Sequence, residues 1–312
     1  VTGLLTLGES LGLVATGPLQ HATVATVGIG GAESNVAIGV RRLGGSATWL
    51  GRVGADPWGD RVLRELRAED LTVVAVTDPS APTALMTKER RTPLSTTVTY
   101  HRHDSAGSRL TPSDVPATLV ESARLVHLTG ITPGLSTGAL ATVRSVLDRA
   151  AAAGVPVSFD VNHRSGVWLS RDAAAVYREV AARSAVVFAG EDEARLLTGT
   201  TTTDPVALLA ELVAATSGDA VLKRGADGCL ARVSGELLRV PALVVPVVDT
   251  VGAGDAFVAG YLAETLAVRD PATRLATAVR CGAFACLSPG DWEGLPTRDD
   301  LAGLDVREEV RR

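Results

Sequence analysis

The sequence predicts an α/β protein with a mainly parallel sheet covered by helices on both faces. Two observations predict it. Strand-like and helix-like runs alternate through most of the 312 residues. Hydrophobic residues make up 46% and charged residues 21%, a folded composition with apolar material for a sizeable core. With no internal repeat and no low-complexity linker, residues 1–312 read as a single domain.

Each element has a local reason. Residues 4–8 read as a buried strand, and residues 34–43 as a helix stopped by Gly44 and Gly45. A strand over 47–53 precedes a helix over 57–68 that starts on Pro57. A strand over 125–129, an Ala-rich helix over 137–153 and a strand over 155–160 follow. Next come a helix over 171–183, a strand over 185–189 and helices over 191–198 and 205–216. A strand over 220–223 leads to a hairpin around Gly235 and a strand over 243–248. Helices over 255–267 and 271–287 close the series.

Two regions break this rhythm: "HATVATV" (21–27) and "ALMTKERRTPLSTTVTYH" (84–101). Both are Thr-rich with period-2 character and no helix between them. They suit strands projecting from the main sheet as a lid, over about 11–29 and 83–104, or plain surface hairpins. Pattern alone does not choose.

Composition excludes several function classes. A net charge of −5 gives no general attraction to nucleic acid. No apolar run reaches membrane-spanning length. Three cysteines, Cys229, Cys281 and Cys286, are too few and too odd for a disulfide framework. With a start, "VTGLLTLGES", that lacks a basic region and a cleavage pattern, they predict a cytoplasmic protein with free thiols.

Known nucleotide motifs fail. Neither lysine, Lys88 or Lys223, sits in G-x-x-x-x-G-K-[ST], and in "GIGGAES" Glu33 stands where a dinucleotide fingerprint needs its third glycine. Protein-kinase H-R-D and D-F-G motifs are absent. "DTVGAGDAFVAGYL" (249–262) stands on its own physics. The N–H groups of Ala253, Gly254 and Asp255 open a helix, and with Gly252 they suit the oxygens of a transferring phosphoryl group. Asp255 is placed to accept the proton of an attacking hydroxyl, or to cap the helix. The positive end of the helix is expected to keep Asp255 ionised.

That segment resembles the C-terminal signature of the ribokinase-like (PfkB) carbohydrate kinases. "GGAESNVAIGVRRLGGSATWLGRVGADPWGD" (30–60) resembles their N-terminal signature. The resemblance covers essentially the whole chain and implies a three-layer α/β/α sandwich with a small β lid over the sugar. "GAESNVA", "TYHRHDSAGSRL", "VHLTGITPGLS", "SFDVNHRSGVW" and "GDWEG" are similar to the kinases of 2-keto-3-deoxygluconate within it. It implies phosphorylation of a C6 hydroxyl by ATP with Mg²⁺, and Asp255 as general base. Fructose or a nucleoside as substrate, or a non-catalytic sugar-binding relative, are the alternatives.

The resemblance also implies roles. Gly30 and Gly31 let backbone approach the sugar, and Asn35 bonds a hydroxyl or carbonyl. Arg102 and Arg164 hold the substrate carboxylate, Tyr100 packs beside Arg102, and Asp291 accepts bonds from hydroxyls. Lys223, Gly225 and Gly228 of "LKRGADG", with Gly282 and Ser288, face the nucleotide. Glu193 matches the Glu of an N-x-x-E motif that organises Mg²⁺ through water, although Gly190 stands in place of its Asn. Met86 and His101 replace expected tyrosines. A lid-mediated homodimer is implied as well.

Overall fold

The computed structural model describes residues 2–92, 95–169 and 171–304. The chain opens with strands β1 (Thr2–Leu7), β2 (Leu11–Thr16) and β3 (Thr26–Gly30), then helix α1 (Ala32–Arg42) and strand β4 (Ala47–Gly54). Helix α2 (Pro57–Ala68) starts on Pro57, with Asp56 accepting from Gly59 N–H as its cap. Strands β5 (Thr72–Asp78), β6 (Leu85–Thr92) and β7 (Ser95–His101) follow, then α3 (Ala117–Glu121), β8 (Ala123–Thr129) and α4 (Thr132–Leu135). Helix α5 (Thr137–Ala153) is capped by Ser136 and ends on left-handed Gly154. Strand β9 (Val157–Asp160), helices α6 (Ser165–Trp168) and α7 (Ala173–Ala181), strand β10 (Val186–Gly190), and helices α8 (Glu191–Thr198) and α9 (Pro205–Ala214) come next. The chain ends with β11 (Asp219–Lys223), β12 (Cys229–Val233), β13 (Glu236–Val240), α10 (Ala253–Leu266), α11 (Pro271–Ala285) and α12 (Arg298–Gly303).

The main sheet has the order β13-β12-β11-β10-β9-β8-β1-β4-β5. Its pairs are parallel from β11 to β5, and β12 and β13 add an antiparallel hairpin edge. Alternate strand residues feed two cores. Leu4, Trp49, Val53, Phe188 and Val221 pack with α1, α2, α10 and α11 on one face. Leu5, Leu7, Leu50, Phe159, Val187 and Leu222 pack with α5, α7, α8 and α9 on the other. This is the three-layer α/β/α sandwich that the family resemblance implies.

A separate four-stranded sheet has the order β3-β2-β6-β7 and its own small core of Leu11, Leu13, Ala84 and Met86. It is the projecting lid, not a pair of isolated hairpins. Its first half, expected over about 11–29, holds β2 (Leu11–Thr16) and β3, and residues 17–25 join them irregularly. Pro93 and Leu94, inside the second lid stretch, lie outside the described residues, as does Val1.

One expected strand is absent. Residues 243–248 form a loop with Val244 and Val247 exposed, and among the described residues they pair neither with the edge strand β13 nor with any other strand. Strand β5 went unread because its burial is intermediate and irregular at the sheet edge. Among the described residues no helix is long and apolar enough to cross a membrane.

The chain runs outward from β1 to β4 and β5, then returns to β8 on the other side of β1. Ligand crevices form at the carboxyl ends of strands beside such a reversal. Those ends carry Glu9 after β1, Thr129 on β8, Asp160 and Asn162 at β9, Glu193 after β10 and Lys223 on β11.

Candidate active site

Helix α10 points its N-terminus at this crevice. Gly252 precedes it with φ 76°, and a Cβ there would lie 2.1 Å from the Asp291 carbonyl oxygen. Only glycine meets both demands. The first turn has no intrahelical acceptors for its N–H groups. Of the three expected donors, Ala253 N–H is engaged by Thr250 O at 3.3 Å. Gly254 is open: the nearest atom to a Cβ there is Lys223 Nζ at 3.8 Å.

Asp255 sits in the third position of α10, half-buried. Its Oδ2 accepts from Asn35 Nδ2 at 2.8 Å and its Oδ1 from Asn162 Nδ2 at 3.2 Å. Asn35 Nδ2 also reaches Asp291 Oδ2 at 3.1 Å, so one amide bridges two carboxylates far apart in sequence. The expectation that the helix end keeps Asp255 ionised is corrected. Burial raises its pKa to about 7, with Asp291 and Asp160 adding to the rise against the Asn35 hydrogen bond and Arg164. Asp291 is raised for the same first reason, burial.

A cavity of about 440 Å³ lies over Asp255, under the lid. Gly31, Asn35, Tyr100, Arg102, Arg164, Gly252, Gly254, Asp255 and Asp291 all line it, as do Glu193 and Lys223. The structure thus brings together eleven of the residues read from sequence. Gly30 has a different role from the one expected. The space its Cβ would fill holds Asp291 Oδ2, at 2.1 Å, and the Met86 methyl, at 2.6 Å. It admits protein groups, not a ligand.

The two arginines differ. Arg102 stacks over Tyr100 at 5.0 Å and donates from Nε to Glu9 Oε2 at 2.8 Å, so a buried carboxylate already balances its charge. Arg164 is exposed to the cavity, and its one described partner is the His163 carbonyl oxygen at 3.0 Å. Lys223 donates to both oxygens of buried Asp160, at 2.7 and 2.9 Å. Glu193 accepts from His163 N–H and Gly190 N–H, at 2.8 and 2.7 Å.

A second cavity of about 510 Å³ meets the first at Lys223, Thr250 and Gly254. Its lining is mostly apolar: Leu243, Val244, Val245, Val247, Phe257 and Val279, with Gly225, Gly228 and Gly282 from the expected set. The loop 243–248, misread as a strand, forms one wall. Ser288 does not line it; Cys286 does. An apolar slot joined at an open helix N-terminus to a polar, carboxylate-bearing cavity suits a base-and-phosphate ligand meeting a hydroxylated one.

Sequence reading missed Glu9, Asn162, Asp160, Lys88 and Asp249. Asn162 left one signal, its place just after the strand read over 155–160; in the structure its backbone is left-handed (φ 36°), a conformation Asn tolerates. Asp160 ends that strand, where ligand crevices form.

A family model described as "pfkB family carbohydrate kinase" matches residues 8–298. The 2-dehydro-3-deoxygluconokinase of Bacillus subtilis (strain 168) is 34% identical over 311 residues, covering 96% of this chain and 94% of its own. A PfkB protein from Polaromonas sp. JS666 superposes with a TM-score of 0.87 at 32% identity, over 97% of this chain and 99% of its own. A fructokinase from Vibrio cholerae O395, solved with fructose, ADP and calcium ion, superposes with a TM-score of 0.85 at 26% identity, over 97% and 98%.

Proposed function

The chain belongs to the pfkB family of carbohydrate kinases, and from that premise we propose that it phosphorylates the C6 hydroxyl of 2-keto-3-deoxygluconate with ATP as donor. The observation that carries the sugar-acid reading is Arg164. It is a guanidinium facing the cavity of Asp255 with no carboxylate partner among the described residues. A substrate carboxylate supplies that partner, in the bidentate geometry guanidinium favours. The B. subtilis relative, named for the same sugar acid, supports the reading.

In this mechanism Asp255 takes the proton of the C6 hydroxyl. The oxygen attacks the γ-phosphorus as the bond to the β-phosphate oxygen breaks, releasing ADP. The N–H groups of Gly254 and Asp255 and the Lys223 ammonium face the charge that develops on the phosphoryl oxygens. A carboxylate whose pKa is about 7 is well matched to a general base at neutral pH. The lid over the polar cavity excludes water, the competing nucleophile. The apolar slot, with Gly225, Gly228 and Gly282, suits the nucleoside of ATP.

Mg²⁺ fits this donor set in one way. Glu193 already accepts two backbone N–H groups, and no cluster of three or more ligating side chains exists among the described residues. Such a set holds no ion alone; it suits one carried on phosphates and reached from Glu193 through water. Held there, Mg²⁺ would neutralise charge on the phosphate oxygens.

A neutral sugar such as fructose is the second reading. Arg102 is already balanced by Glu9, and Met86 presents a methyl where a phenol is expected. The hydrogen bonds from Asn35 and Asn162 that hold both oxygens of Asp255 speak against a non-catalytic binder. A coupled ADP-release assay over sugars and sugar acids decides. We expect turnover on 2-keto-3-deoxygluconate, and Arg164→Ala should raise its KM about 10-fold or more while leaving neutral sugars within about 2-fold. Equal losses on both classes would remove the carboxylate contact.

A further inference from the structure

We propose that Lys88 is a positioning residue for this reaction: it ties the lid sheet to the segment that opens α10, so the phosphoryl-binding mouth is held in shape through the lid. The proposal rests on the kinase reading for its catalytic consequence, though not for its structural one. Lys88 lies in β6, is 7% exposed, and forms an ion pair with Asp249. Its Nζ also approaches the Gly290 carbonyl oxygen at 3.5 Å, next to Asp291. Two residues along the same face of β6, Arg90 donates to the Val248 carbonyl oxygen at 2.9 Å. Two lid side chains therefore grip two consecutive residues of the main body.

The gripped segment leads straight into the mouth. Asp249 Oδ1 accepts from Val251 N–H at 3.2 Å, which fixes the turn before Gly252. On the far side, Val248 N–H donates to the Cys286 carbonyl oxygen at 2.8 Å, at the end of α11. Residues 248–249 are thus clasped between lid and body, and displacing β6 removes one side of the clasp. Residue choice points the same way. The chain has 30 Lys and Arg residues, of which only Lys88 and Lys223 are lysines. Both form ion pairs beside the α10 N-terminus, Lys223 with Asp160 and Lys88 with Asp249. A compact ammonium fits a small shared site where a planar guanidinium fork would need more room.

The test uses Lys88→Met, Asp249→Asn, the double variant and Lys88→Arg in the full chain. Hydrogen exchange without ligands should speed up by about 10-fold or more in Lys88→Met, in β6 and in residues 248–254 together, with β8 and β10 unchanged. Turnover should drop about 10-fold or more with ATP-analogue affinity within about 3-fold, and the double variant should lose no more than the worse single one. Lys88→Arg should recover part of both effects. Faster exchange in the lid alone, or losses that add in the double variant, would overturn the proposal. Should Lys88→Met not fold, the same exchange measurement on Asp249→Asn decides. A wild-type protein that turns over no sugar sinks the kinase reading, while the exchange result still decides the tie.

Discussion

At the scale of the residue, Asp255 carries the sharpest expectations. Its pKa of about 7 means kcat/KM should fall about tenfold per unit below that pH as the proposed base is protonated. Asp255→Asn should lower kcat by about 10²–10⁴ with ATP binding intact, and the residual rate should lose that pH dependence. Near-wild-type turnover in the variant would end the base assignment. The same pKa makes a stability claim. The folded value lies above the ordinary 3.8, so between the two the folded state holds a proton that the unfolded chain has released. Stability therefore falls as pH rises through that window and stays lowered above it. An amide does not titrate, so Asp255→Asn escapes this loss. The variant should melt several degrees higher than wild type at pH 8, with the gain vanishing toward pH 4. Asp255, Asn35 and Asp291 were legible because motifs carry them. Glu9, Lys88, Asp249 and Asn162 were not, because each acts through a partner that only folding brings near: Lys88 meets Asp249 across 161 residues.

At the scale of the element, the central contact is α1 against α10. It places Asn35 beside Asp255, and it is close because Gly39 has no side chain: a Cβ there would lie 2.5 Å from Ala259 Cβ. Glycine inside a helix costs about 1 kcal/mol relative to alanine. Here the close approach offsets it. Gly39→Val should push the helices apart, costing about 1–3 kcal/mol in urea unfolding and lowering kcat through the Asn35–Asp255 bond. Unchanged stability would mean α1 moves freely. Helices were legible as elements because capping and periodicity are local: Asp56, Ser136 and Asp204 each cap the helix that follows. The lid and the loop 243–248 were less so. A period-2 apolar run is only a candidate strand, and whether a neighbour exists to pair with it is decided by the whole sheet.

At the scale of the whole molecule, the two cavities share the main domain but differ in whether the lid lines them. The polar cavity is walled by the main domain and roofed by lid residues Leu11, Met86, Lys88, Val98, Tyr100 and Arg102. The apolar slot has no lid residue in its lining. A ligand in the first bridges the two sheets, whereas a ligand in the second touches only the main domain. Binding protects from exchange what it holds together. A saturating sugar acid without nucleotide should therefore slow exchange in 85–92 and 95–101 by about 10-fold or more. A non-hydrolysable ATP analogue alone should slow 242–248 and, through the Lys88–Asp249 tie, at most the strand 85–92, leaving 95–101 within about 2-fold. Protection of 95–101 by the nucleotide alone would mean that the whole lid answers to the donor. The water-excluding step would then precede sugar binding, and sugar-free ATP hydrolysis would be the side reaction it exists to suppress.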